Sequence, residues 1–273
     1  MDFTKSLHEN LQDKKTPFFV AHRGSCGANI PCNTLLAYKL AVDQGADVIE
    51  IDVSKSKDGV FFVFHPGMEK VYLNSKFNIS EMTAAEVSQI PILNVDGVET
   101  HYRIPTLEKV LSFLKQKTYI NVDKFWTDIQ GITEMICQCG VQKQVIVKTP
   151  TEEKYLHEVE KFASDLVRKQ DMLTEKIERR NINFIGVETL FESLDDQVAS
   201  KEYIKSMHDK GYLVWANSIV YDEKDIISAG LTEDISLEKG GDYGWGMLAD
   251  LGYDFIQTDW LTEIKNYFSK RQR

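Results

Sequence analysis

Apolar residues along this chain fall into short β-branched runs separated by stretches with helical spacing. The runs are FFVAH (18–22), VIEIDV (48–53), VFFVFH (60–65), YINVD (119–123), QVIVK (144–148), INFIGVE (182–188), LVWAN (213–217) and FIQTD (255–259). Each is short, rich in Val, Ile and Phe, and bounded by polar residues, which is the signature of a strand. Between them, NTLLAYKLAVDQG (33–45), SEMTAAEVSQI with Ser80 as its cap, PTLEKVLSFLKQK from Pro105, DIQGITEMICQCG ending at Gly140, and a long stretch over 151–170 carry helical periodicity. Further helices are expected near 199–210, 244–251 and 262–272. Eight strands alternating with helices predict an α/β fold, a (β/α)₈ TIM barrel formed by one domain over 1–273, with its core at about 18–261.

The polar residues follow the same plan. His22, Asp52, His65, Asp123, Lys148, Glu188, Asn217 and Asp259 all lie at or near the C-terminal end of a run. In a (β/α)₈ barrel those ends converge on one mouth, where active sites are built. The run VIEIDV adds a constraint, because a side-chain period of two puts Val48, Glu50 and Asp52 on one face. Paired carboxylates on an apolar strand are costly unless water, a basic side chain or a metal meets them. One connection is irregular: only SKSKDG separates the second run from the third, too short for a helix. Asp58-Gly59 is a hairpin signal; a link running extended back down the barrel is the expectation here, since it brings His65 to Asp52. Residues 66–102 then form an insertion loop.

Charge and composition narrow the class. The 42 Asp and Glu against 32 Lys and Arg give a net charge of −10, which disfavours nucleic acid as a partner. No apolar run reaches the roughly 18 residues of a membrane span, so no stable membrane insertion is expected. The start, MDFTKSLHENLQDKKTPFF, has no signal-peptide core, so the sequence as written reads as cytoplasmic, or as extracytoplasmic with its signal removed. Cys26, Cys32, Cys137 and Cys139 lack zinc-site spacing and are expected as reduced thiols. Oligomeric state is not encoded in any of these features.

The segment AHRGSCGANIPCNTLLAYKLAVDQGADVIEIDVSKSKDGVFFVFH resembles the opening signature of the glycerophosphodiester phosphodiesterase family. That signature reads HRG, PENT before a helix, GAD-x-IE-x-D, KDG and a strand ending in HD. RIPTLEKVL (103–111) and IQTDWL (256–261) are similar to its later motifs. The resemblance implies a TIM barrel that hydrolyses glycerophosphodiesters to an alcohol and glycerol phosphate. It implies one divalent cation, Mg²⁺ or Ca²⁺, on Glu50, Asp52 and Asp123, with His22 and His65 as general base and general acid. Arg23 and Lys148 become the phosphate contacts, while Lys124 is expected to point away from the mouth. For Glu188, Trp215, Asn217 and Asp259, pocket lining and rim structure are both open.

Three departures stand out: Cys32 for the usual glutamate, Pro66 for the aspartate after the second histidine, and Asp123 for glutamate. Cys32 is expected as a pocket wall. Two alternatives stay open, a lysophospholipase D-like or lyase activity on phospholipid head groups and a non-catalytic barrel binding a phosphorylated ligand.

Overall fold

The computed structural model describes residues 1–3, 5–162, 167–170, 180–220, 224 and 226–271. The strands run β1 (Phe18–Ala21), β2 (Val48–Lys55), β3 (Phe61–Val63), β4 (Pro91–Leu93), β5 (Glu99–Arg103), β6 (Tyr119–Asp123), β7 (Val145–Thr149), β8 (Val167–Gln170), β9 (Phe184–Glu188), β10 (Leu213–Asn217) and β11 (Phe255–Thr258). β1, β2 and β6 to β11 pair in parallel, and β1 hydrogen-bonds both β2 and β11, which closes the sheet on itself. The result is the expected (β/α)₈ barrel.

Its membership differs from the expectation at two places. β8 lies within the stretch read as one long helix over 151–170; the helix there covers Glu153–Phe162, and 163–166 lie outside the described residues. β8 reads VRKQ, which has no apolar alternation to announce a strand. Conversely, β3 is not a barrel strand. It pairs antiparallel with the end of β2, with Val53 opposite Val63 and Lys55 opposite Phe61. The link is therefore a hairpin, not an extended return. β2 overruns Asp52 by three residues before the chain reverses, so the hairpin itself carries His65 back towards Asp52, and Phe64 N–H donates to the Asp52 carbonyl at 3.0 Å.

Alternation divides the strand residues into two layers. Phe18, Val20, Val48, Tyr119, Ile146, Trp215 and Phe255 fill the barrel floor. Ile49, Ile51, Ile120, Val122, Val145 and Val147 face outward into the helices. The helix Leu107–Leu114 shows why these segments dock: Leu107, Val110, Leu111 and Leu114 recur at helical spacing and are buried, and Thr106 caps its first turn. Asp47 braces the floor by accepting from the Phe19 amide at 2.8 Å.

The segment expected as an insertion loop is structured. It contains a short helix at Glu69–Tyr72, a second at Ala84–Gln89 and the β4–β5 ribbon. Thr83, not Ser80, caps the second helix, in a reciprocal box with Glu86. Ile79, Met82, Val87, Ile92 and Ile104 pack on Phe62 and Phe64, giving the insert its own small core.

Candidate active site

The side chains of Glu50, Asp52 and Asp123 meet at the mouth, each offering an oxygen within 4.8 Å of the others. Parallel pairing explains this: β2 and β6 run in register with Asp52 opposite Asp123 and Glu50 opposite Asn121. Glu50 is 3% exposed and Asp52 fully buried. Burial, then Asp52 and Asp123, push the Glu50 carboxyl well above the usual range. Burial alone would also raise Asp123, but the Lys148 and Lys124 ammonium groups outweigh it and hold that carboxyl below its ordinary value. Asp52 Oδ1 is buried without a hydrogen-bond partner among the described residues. Three convergent carboxylates with a bare buried oxygen fit a hard divalent cation, which takes oxygen donors.

The segment between β1 and the helix Leu35–Asp43 supplies the donors around this cluster. Arg23 and Asn33 both adopt positive φ, 57° and 58°, so the chain folds sharply at each. Arg23 Nε and Asn33 Nδ2 both reach Asp52 Oδ2, each at 3.0 Å, and the Arg23 amide donates to Glu50 Oε2 at 3.1 Å. Tyr38, fully buried, donates to Asn33 Oδ1 at 2.7 Å and thereby orients that amide towards Asp52. Gly24 sits between them at φ 87°, where a Cβ would come within 2.9 Å of the Ala37 backbone, so only glycine fits. Asn33 is not among the expected site residues, although it holds the asparagine of the PENT-like motif, which is the signal the sequence offered.

The two histidines are held differently. His22 is 7% exposed, and its Nδ1 lies 2.9 Å from Asp259 Oδ1. His65 Nδ1 donates to the Pro66 carbonyl at 2.9 Å, and its Nε2 stands 4.0 Å from Asp52 Oδ1. The backbone carbonyl of Pro66 thus orients His65 at the position where the family signature has an aspartate. Burial, with Arg23 and Lys124, holds His65 below the ordinary imidazole value against the pull of Asp52.

Lys124 corrects an expectation. Its φ of 58° breaks the strand alternation and returns the ammonium to Asp123 Oδ2 at 3.0 Å, at the mouth rather than away from it. Lys148 pairs with Glu188 Oε2 at 2.6 Å, and Asn217 Nδ2 donates to Glu188 Oε1 at 2.6 Å. These three line a cavity of about 80 Å³ with His22, Arg23, Glu50 and Asp123. Trp215 does not line it. It lies on the floor, stacked on Phe255 with ring centroids 4.7 Å apart. The period of two gave Trp215 the correct face but not the depth, since it sits two residues below Asn217.

The thiol reading is overturned for one pair: Cys26 and Cys32 form a disulfide, while Cys137 and Cys139 are free. The disulfide closes the segment between Arg23 and Asn33, and Cys32 faces a cleft beside His22.

A closed parallel barrel with an acidic cluster at its mouth, flanked by two histidines and several cationic side chains, defines a class suited to phosphate esters. Comparison with known proteins narrows it: the model of the glycerophosphoryl diester phosphodiesterase family matches residues 22–216. The chain belongs to that family. A glycerophosphodiester phosphodiesterase of Caldanaerobacter subterraneus is 33% identical over 128 residues, covering 46% of this chain and 50% of that one. The chain spans about half or less of the curated relatives it matches. A glycerophosphoryl diester phosphodiesterase from Parabacteroides distasonis superposes with a TM-score of 0.78 at 19% identity, over 98% of this chain and 93% of that one. An Oleispira antarctica phosphodiesterase, solved with the product sn-glycerol-3-phosphate, gives 0.68 at 20% identity, over 97% and 100%. At those identities the likeness speaks for the fold.

Proposed function

We propose that the protein is a metal-dependent phosphodiesterase that cleaves glycerophosphodiesters into an alcohol and glycerol phosphate. The observation that carries this reading is the convergence of Glu50, Asp52 and Asp123 within 4.8 Å of one another at the barrel mouth. Family membership and the product bound to the Oleispira phosphodiesterase support the substrate class.

The three carboxylates would hold one divalent cation, Mg²⁺ or Ca²⁺, both of which take oxygen donors. When bound, that cation supplies charge neutralisation at a phosphoryl oxygen. The chain's own groups do the rest. Arg23 and Lys148 offer cationic donors to the phosphate, Arg23 as a planar fork and Lys148 as a point charge. His22 and His65 move the protons, and each ring is oriented through Nδ1, His22 by Asp259 and His65 by the Pro66 carbonyl. His65, held below the ordinary imidazole value, suits the base that takes a proton from the attacking hydroxyl; His22 then protonates the departing alcohol. The attacking oxygen is the glycerol hydroxyl beside the phosphate, an intramolecular attack of high effective molarity, and water opens the cyclic phosphate that results.

The test is a hydrolysis screen over glycerophosphocholine, -ethanolamine, -glycerol and -inositol with Mg²⁺, Ca²⁺ or EDTA. Release of glycerol phosphate with a divalent cation and its loss in EDTA is the expected result. No release from any diester with either cation overturns the reading.

A further inference from the structure

A second cavity opens beside the catalytic one, and its walls have a different character. It is a cleft of about 440 Å³ that shares His22 and Arg23 with the acidic cluster and extends outward from them. Its walls come from three segments. The Cys26–Cys32 disulfide and Ile30 belong to the segment after β1, Leu93 and Val95 to the β4–β5 ribbon, and Tyr72 and Trp260 close the sides. The ribbon is tied to the first segment: the Val95 amide meets the Ala28 carbonyl at 3.5 Å, and Asn94 Nδ2 donates to Asn29 Oδ1 at 3.3 Å. Val95 is 72% exposed and Trp260 47%, an unusual display of apolar surface at the lip of a polar site.

Charge complementarity argues for the occupant. The ionised side chains on the walls are already engaged with the catalytic cluster: Arg23 Nε with Asp52 Oδ2 at 3.0 Å, and Asp259 Oδ1 with His22 Nδ1 at 2.9 Å. Beyond these two the walls carry no charge, so a charged head group lying along the disulfide, Tyr72 and Trp260 would lose its water without meeting a counter-charge there. A neutral hydrocarbon would lose only its hydration shell. Resting on the phosphodiesterase reading, we propose that this cleft binds one ester arm of the substrate, and that this arm is neutral and apolar, an alkyl, acyl or aryl group carried beside the phosphate. The phosphate then sits against Arg23 and His22, and the arm lies along the disulfide, Tyr72 and Trp260.

The experiment measures binding first and turnover second. A series of alkyl phosphates, methyl to hexyl, is titrated calorimetrically into the protein with Mg²⁺. Binding is expected to tighten by about fourfold per methylene, and Val95→Asp and Trp260→Ala are expected to flatten that slope. Phosphocholine is compared with its uncharged isostere 3,3-dimethylbutyl phosphate, which is expected to bind at least several-fold tighter. A flat series, no binding at all, or tighter binding of phosphocholine (an aromatic cage for a cation instead) overturns the proposal. Glycerol phosphate release is followed separately with glycerophosphoethanolamine and a glycerophosphohexanol. Release alongside a flat series overturns the apolar cleft alone. A steep series with no release from either diester supports the cleft and overturns the hydrolase reading.

Discussion

His22 and Asp259 form a dyad across the closure of the barrel: His22 follows β1, Asp259 follows β11, and Nδ1 meets Oδ1 at 2.9 Å. A carboxylate at Nδ1 fixes the imidazole's tautomer and orientation. Asp259→Asn should therefore lower kcat by about tenfold with little change in KM. His22→Ala should cost roughly 10²-fold or more, the scale of a positioned acid or base. An unchanged kcat in Asp259→Asn would make the contact merely structural.

The acidic cluster should respond to metal without any substrate present. Glu50 is held well above the usual carboxyl range by burial and by its two neighbours, so a bound cation relieves their repulsion. Millimolar Mg²⁺ or Ca²⁺ should raise the unfolding temperature of the wild type, corresponding to about 2.7 kcal/mol when the ion is at one hundred times its Kd. Glu50→Gln and Asp123→Asn should each lose most of that shift while remaining folded. Equal shifts in all three proteins would place the ion elsewhere.

Asn33 should act through Asp52 rather than through the substrate. Its amide donates to Asp52 Oδ2 while its backbone sits at φ 58°. Asn33→Ala loses the charge-assisted hydrogen bond and strains the backbone, together roughly 2–4 kcal/mol. Asn33→Gly loses the side-chain hydrogen bonds to Asp52 and Tyr38, as the alanine does, but escapes the strain, since glycine accepts that φ. Both variants should bind Mg²⁺ several-fold more weakly, and only the alanine should show the additional fall in stability. Wild-type metal affinity in both would remove Asn33 from the site.

A pH signature resides behind the dyad. Glu233 is buried, accepts from Thr258 Oγ1 at 2.6 Å and from the Asp259 amide at 2.8 Å, and its carboxyl is pushed up to about 8 by burial and by Asp259. A raised carboxyl favours folding below its unfolded value near 4.5, and that contribution is lost as pH rises to about 8. Between pH 5 and pH 8 the wild type should lose roughly 3 kcal/mol relative to Glu233→Gln, which mimics the protonated acid. Parallel stability curves for the two proteins would refute the assignment.

Much of this architecture was legible from alternation alone. Glu50, Asp52 and Asp123 declared themselves because a two-residue period puts them on the barrel's inner face, and parallel register then sets them side by side. β8 was hidden because its residues carry no apolar alternation, and β3 was misassigned because an apolar hairpin strand reads like a barrel strand. Lys124 was misplaced because one left-handed residue resets the alternation. The His22–Asp259 and Cys26–Cys32 pairings required tertiary geometry: the first joins opposite ends of the chain, and the second depends on the reversal between Arg23 and Asn33.

The β2–β3 hairpin works as a measuring rod. Three residues of β2 climb past Asp52, and an equal span of β3 descends, so the location of His65 is stored as a count of residues and not as a position on any barrel strand. Slippage of one residue would turn His65 to the opposite face, and slippage of two would carry it about 7 Å along the strand. The tip is tied down as well, the Lys57 amide donating to the Met82 carbonyl and the Ala84 amide to Asp58 Oδ1, each at 2.8 Å. Natural variation in this hairpin should therefore be strict in arithmetic, keeping Val53 opposite Val63.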